Sequence, residues 1–208
     1  MGRRSPIFCD KGDRLAGRHS DTLHFQPPEL TTMQRIVSID EQLTSLFSNF
    51  NKIADEIDIP FICNLSDERK IATLDYPGIY RIDVYAGNSP CDIGSWIAEF
   101  QSEWEHQDFK KKFTPNFKKK RIARHSELSE WMPLYLGKSK KICARVLEHI
   151  NLELEKTTFA LKIKARPSMA KREFRLHALE VPVQNYNLIV PTLEAAMRNR
   201  FNPLIGKQ

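Results

Sequence analysis

Two short β-prone segments held far apart in the sequence constrain this chain more than any other feature. In Tyr76-Pro77-Gly78-Ile79-Tyr80-Arg81-Ile82-Asp83-Val84-Tyr85, β-branched and aromatic residues alternate behind a Pro-Gly turn signal, which predicts a strand from about Gly78 to Tyr85. Met132-Pro133-Leu134-Tyr135-Leu136-Gly137 reads as a second short strand. Ser139 is placed to cap a helix whose apolar stripe is Ile142, Val146 and Ile150. Further on, residues 174–181 alternate as a strand, Leu193 to Phe201 reads as a helix behind Pro191, and residues 159–164 fit helix or strand. This order predicts an α/β (α+β) fold, a short mixed sheet flanked by helices.

Upstream, Ile36, Ile39, Leu43, Leu46, Phe47, Phe50, Ile53 and Ile57 recur at three- and four-residue steps, the period of an amphipathic helix. Thr31-Thr32 supplies an N-cap and Pro60 a stop. Such a stripe must pack on its own domain or on a second copy. Residues 1–30 mix Gly, Pro, Ser and charge without period and are expected to form a flexible tail. The expected organisation is therefore a tail (1–30), a helical N-terminal arm (31–70) and a main domain (71–208) carrying an insert (87–131).

Composition narrows the class. With 208 residues, 41% hydrophobic and 28% charged, the chain has material for one full domain plus decoration or for two small ones, which excludes a disordered or fibrous protein. No apolar run approaches the roughly 18 to 20 residues of a membrane span, and no secretory-signal core follows the early arginines. A soluble, cytoplasmic protein with no membrane partner is the expectation. Cys9, Cys63, Cys91 and Cys143 form no CxxC pair and read as reduced packing thiols rather than a zinc site or disulfide framework.

The net charge of +6 is unevenly spread: residues 1–70 hold 9 Lys/Arg against 11 Asp/Glu (net −2), and residues 71–208 hold 23 against 15 (net +8). The basic part suggests a polyanionic partner, although charge also serves solubility. Its most basic stretch lies in the insert, where Lys110, Lys111 and Lys112, then Lys118, Lys119, Lys120, Arg121 and Arg124, bracket Phe113 and Phe117. These residues are candidates for contacting nucleic-acid phosphates; a solvated basic loop is the plainer alternative.

Two tyrosines end strand-like motifs, Gly78-Ile79-Tyr80 and Tyr135-Leu136-Gly137, and the second is followed by Lys138-Ser139, Arg145 and His149. Arg145 and His149 stand one helical turn apart at the edge of an apolar stripe, where they either point into a cleft or simply snorkel and pack. Near the C-terminus comes Leu193-Glu194-Ala195-Ala196-Met197-Arg198-Asn199-Arg200-Phe201-Asn202-Pro203. In order and spacing these three signatures resemble the GIY-YIG nuclease family, over residues 76–86 and 132–208. Two features depart from the family pattern: the long insert, as in restriction-enzyme members, and Gly206 where the family usually places an asparagine.

The resemblance implies a metal-dependent endonuclease that hydrolyses DNA phosphodiester bonds, most like a type II restriction or related defence enzyme. Tyr80 would act as general base with Tyr135 as its partner, aided by Lys138 or His149, since a phenol near pKa 10 needs help to ionise near neutrality. His149 serves equally as a base or as an orienting group. Arg145 would clamp phosphate oxygens, and Glu194 would hold Mg2+ or Mn2+, with Glu180 as an alternative ligand. Glu194 also reads as an exposed carboxylate paired with Arg198 four residues on. Duplex DNA is the expected partner, with a homodimer favoured if the site is palindromic. The alternatives are a non-catalytic nucleic-acid-binding module of the same fold and an RNA-directed nuclease.

Overall fold

The computed structural model describes residues 30–87, 92–109 and 113–206. Helix α1 spans Thr32–Glu56. Its start is a capping box, in which Gln34 N–H donates to Thr31 Oγ1 (3.3 Å) and Thr31 N–H to Gln34 Oε1 (2.8 Å). The chain divides into two units, Met1–Asp40 and Glu41–Gln208, so the boundary falls within this helix. Only Ala54 of α1 is buried; Ile36, Ile39, Leu46 and Ile53 remain exposed, and Phe50 and Ile57 pack at the margin of a core cluster.

After Pro60, the expected helical arm of residues 31–70 also contributes to the main sheet. A strand, β1 (Phe61–Asn64), joins the main sheet, and a short helix, α2 (Glu68–Ala72), is capped by Asp67. Four residues with a single bulge are too few to display a period, which is why β1 does not stand out in the sequence. Strand β2 (Gly78–Tyr85) has the expected bounds.

Residues of the expected insert contribute helix α3 (Ile93–Trp104), a 3-10 turn at Gln107–Phe109, strand β3 (Asn116–Phe117) and helix α4 (Lys119–Ile122). Next come β4 (Trp131–Ser139) and α5 (Ile142–Asn151). Ser139 does not cap α5 as expected. Its hydroxyl bridges the N–H and C=O of Lys141 at the end of the strand. Residues 159–164 are neither helix nor strand, because their N–H groups bond to the end of α5 instead of to a ladder: Ile163 to His149 O and Lys164 to Ile150 O. Helix α6 (Pro167–Ala170), β5 (Phe174–Glu180), α7 (Tyr186–Phe201) and β6 (Ile205–Gly206) complete the order. Helix α7 begins before Pro191, which sits inside it, and ends on Asn202 in the left-handed conformation (φ 47°) ahead of Pro203.

The main sheet has the order β1-β5-β2-β4 with every pair antiparallel, and β3 pairs with β6 in a separate two-stranded ribbon. The α+β class holds; the pairing is antiparallel rather than mixed. GIY strand β2 is central and β4 is an edge. Gly78 permits the close approach of β2 to β5, since a Cβ there would lie 2.0 Å from the Leu179 carbonyl oxygen.

Alternation along β2 builds two cores. Tyr80, Ile82 and Val84 face a cluster with Leu134, Leu176, Ile142, Val146, Trp96, Phe100 and Trp104. Ile79 faces the other way, with Leu136, Val181, Val190, Leu193 and Met197 beneath α7. The insert is thus not a surface loop: α3 lends three aromatic side chains to the main core, with Trp104 Nε1–H donating to Pro115 O (2.8 Å). Phe117 packs against this core, edge-on to Phe100, which corrects its expected place on a nucleic-acid surface. Cys63 and Cys143 are free thiols; Cys9, Cys91 and nearly all of the expected tail lie outside the described residues. Among the described residues no helix is long and apolar enough to cross a membrane.

Candidate active site

Register decides which side chains meet. Tyr80 and Gly137 are opposed across β2 and β4, and Tyr135 opposes Ile82, so both tyrosines project from the same face of the sheet edge. Their rings lie 6.1 Å apart. Gly137 is required beside them. A Cβ there would stand 2.7 Å from Tyr80 Oη and 2.8 Å from Tyr135 Cε1, so only glycine leaves both rings in place.

Helix α5 lays His149 against this pair, its ring 4.9 Å from Tyr135 and 5.7 Å from Tyr80. His149 is fully buried, and Leu161 N–H donates to its Nδ1 (3.0 Å). Burial and the Arg145 charge hold its pKa well below the usual imidazole range, so the ring is neutral. With Nδ1 accepting, the ring proton is on Nε2 and is donated to Tyr80 Oη at 2.8 Å. Of the two roles open to His149, the network favours orientation: its lone pair already belongs to Leu161.

Burial pushes Tyr80 well above the usual phenol value, and the neighbouring Tyr135 adds to the shift while Arg145 opposes it. Tyr135 is raised too, first by burial. Both are neutral phenols in the free protein. Arg145 is fixed by Glu148, three residues on in α5, and by the Phe159 carbonyl, leaving its guanidinium charge beside both hydroxyls.

From the opposite face of β4, Lys138 reaches Glu194 of α7: Nζ to Oε2 is 2.9 Å. Arg198 approaches Oε1 at 3.5 Å, the expected i, i+4 pairing, but Glu194 is buried rather than exposed. Tyr80, Tyr135, Gly137, Lys138, Arg145 and Glu194 line one cleft of about 640 Å³, together with Leu136, Pro191, Arg198 and Gly206. All the expected catalytic residues line this cleft except His149, which lies behind Tyr80. Glu180 ends β5 opposite Gly78 and is not among the lining residues.

The donor set fits a divalent cation in one mode only. No group of three His, Cys, Asp or Glu side chains gathers among the described residues. A lone carboxylate in a cleft whose other charged lining residues are Lys138, Arg145 and Arg198 suits an oxygen-liganded, mostly hydrated ion shared with a substrate phosphate, not an all-protein cage.

Of the expected phosphate contacts, Lys110, Lys111 and Lys112 lie outside the described residues. Lys118 is the N-cap of α4, and Lys119 and Lys120 open the helix, both exposed. Arg124 is exposed, and its Nη1 donates to Asn199 O (3.5 Å) and Asn202 Oδ1 (3.3 Å) at the end of α7. Arg121 stands against Gly206. The sequence reading missed Leu161 N–H, Glu148 and the Phe159 carbonyl as orienting groups. Glu148 was visible at i+3 from Arg145, whereas the backbone groups of an irregular segment leave no residue-type signal. No family model, curated protein or solved structure matches this chain.

Proposed function

We propose that the protein is a divalent-metal-dependent endonuclease that hydrolyses DNA phosphodiester bonds, with the GIY-YIG resemblance as its closest chemical parallel. One observation carries the reading: Tyr80, Tyr135, Lys138, Arg145 and Glu194, drawn from four elements and far apart in sequence, line a single cleft. An incidental resemblance of short motifs gives no reason for them to converge.

Hydrolysis needs a deprotonated water in line with the scissile bond, positive charge around the phosphorane and support for the leaving oxygen. Arg145, pre-oriented by Glu148, binds the phosphate oxygens as a planar fork. The Arg145 charge beside its hydroxyl favours ionisation of Tyr80, and a metal ion held by Glu194 would add to that effect. The Tyr80 hydroxyl proton is not needed by His149, whose Nε2–H already donates to Oη and strengthens that bond if a phenolate forms. Tyr80 acts as the base only after its own hydroxyl proton has left to solvent through the cleft; the phenolate, held by His149 Nε2–H, then takes a proton from the attacking water and returns to the phenol, with Tyr135 beside it. Glu194 is the residue that would hold Mg2+ or Mn2+; the ion, when bound, supplies Lewis-acid stabilisation of the leaving oxygen. Lys138 and Arg198 hold the Glu194 carboxylate at the cleft through ion pairs until then.

The insert built into the domain supports a restriction-type or defence enzyme, acting in the cytoplasm on duplex DNA, over a minimal nuclease. The test is incubation of the wild type, Glu194→Ala and Tyr80→Phe with plasmid and phage DNA, in Mg2+ or Mn2+ and in chelator. Discrete metal-dependent cutting is expected from the wild type, with at least a roughly 100-fold loss in Tyr80→Phe and none in Glu194→Ala. Salt-sensitive binding without cutting by any of the three would point instead to a binding module, and cutting confined to RNA to the RNA-directed reading.

A further inference from the structure

The ribbon of β3 and β6 brings Gly206 to the rim of the cleft and, on its other side, holds the insert residue Arg121 against it. The attachment is firm: Lys118 N–H donates to Leu204 O (2.9 Å), and Arg121 N–H closes the first turn of α4 on Lys118 O (2.8 Å). A Cβ at position 206 would lie 2.9 Å from Arg121 Nη1 and 3.9 Å from its Cζ. The guanidinium therefore fills the room that any other side chain at 206 would take.

That guanidinium has an unused donor. Arg121 Nη1 is covered and meets no acceptor among the described residues. The other arginines near the cleft each already meet an acceptor in the chain: Arg145 meets Glu148 and Phe159 O, Arg198 meets Glu194, and Arg124 meets Asn199 O and Asn202 Oδ1. Covered donors in folded proteins are ordinarily paired, so an unpaired cationic one beside an open cleft marks a place completed by an incoming oxygen. Arg121 also shares the field of the cleft, since burial and Arg198 lower its pKa while Glu194 opposes them.

We propose that Arg121 is a further phosphate-binding residue of the cleft, turning Nη1 over the bare face of Gly206 onto a phosphate oxygen of the nucleic-acid backbone. The assignment rests on the phosphodiester reading above and deepens it. It gives Gly206 a purpose: glycine at this position leaves space for a cation supplied by the insert.

The experiment measures binding of a short duplex oligonucleotide in chelator, over a series of NaCl concentrations, by the wild type, Arg121→Ala and Gly206→Ala, with melting temperatures as a check on folding. One lost phosphate contact lowers the slope of log affinity against log salt by about 0.9. That loss is expected in Arg121→Ala, and also in Gly206→Ala, which keeps every charge and only displaces the guanidinium. If Arg121→Ala does not fold, Gly206→Ala decides. An unchanged slope in a folded variant overturns the assignment, as does a wild type that binds without salt sensitivity or not at all. Wild-type cutting with unchanged slopes would overturn the Arg121 assignment alone. Reduced slopes in variants of a protein that never cuts would overturn the nuclease reading alone.

Discussion

His149 makes no direct contact with the cleft and yet fixes what Tyr80 can do there, because the Leu161 N–H on one ring nitrogen dictates the proton on the other. That arrangement has a pH signature. Held well below the usual value near 6.5, His149 stays neutral in the folded chain, while in the unfolded chain it takes up a proton as pH falls through about 6.5. Stability is therefore intact above that value and is lost progressively as pH falls below it. Thermal unfolding followed from about pH 7.5 to 5.0 should show a steeper decline for the wild type than for His149→Gln; parallel declines would disprove a buried neutral imidazole. From the sequence, Arg145 and His149 were legible as neighbours on a helix, but not the depth of His149. Burial here depends on residues 159–163 folding back over α5, and irregular backbone has no period to read.

The elements that carry the motifs were the most legible. Strand β2 alternates in sequence from Tyr80 to Val84 and β5 alternates as well, while β4 is a short apolar run, so their existence was plain. Helix α7 was read too short, since Pro191 resembles a helix start and instead lies within the helix, lining the cleft. The pairing of β2 with β4 yields a test at this scale. Gly137→Ala places a methyl group 2.7 Å from Tyr80 Oη, and the edge strand must shift or the Tyr80–His149 hydrogen bond must break. A destabilisation of about 1–3 kcal/mol is expected from such overpacking, together with loss of cutting at temperatures where the variant remains folded. Denaturant titration beside a cleavage assay checks both. A fully active variant would show that the close contact of Gly137 with the two tyrosines is dispensable.

At the scale of the whole molecule, the insert is where expectation and structure diverge most. Its lysine runs suggested a solvated loop, but Trp96, Phe100 and Trp104 place one face of α3 in the main core, and Arg172 ties α3 to the start of β5 through Glu99 and Glu103. The aromatic spacing was visible; what it packed against was not, because the partners come from β2, β4 and β5. Replacing residues 93–122 with a short flexible turn should accordingly leave no minimal domain behind. Loss of a cooperative thermal transition is expected, and a sharp transition with native-like near-ultraviolet circular dichroism would refute the insert's place in the core. The ribbon of β3 and β6 carries a different consequence, one of timing. As the chain leaves the ribosome, the tyrosines, Arg145 and the insert emerge well before Glu194 and Gly206. Until α7 and β6 arrive, Tyr80, Tyr135 and Arg145 stand without Glu194 and Gly206, and the cleft is incomplete. Synthesis order itself thus withholds a finished cleft until both elements have emerged.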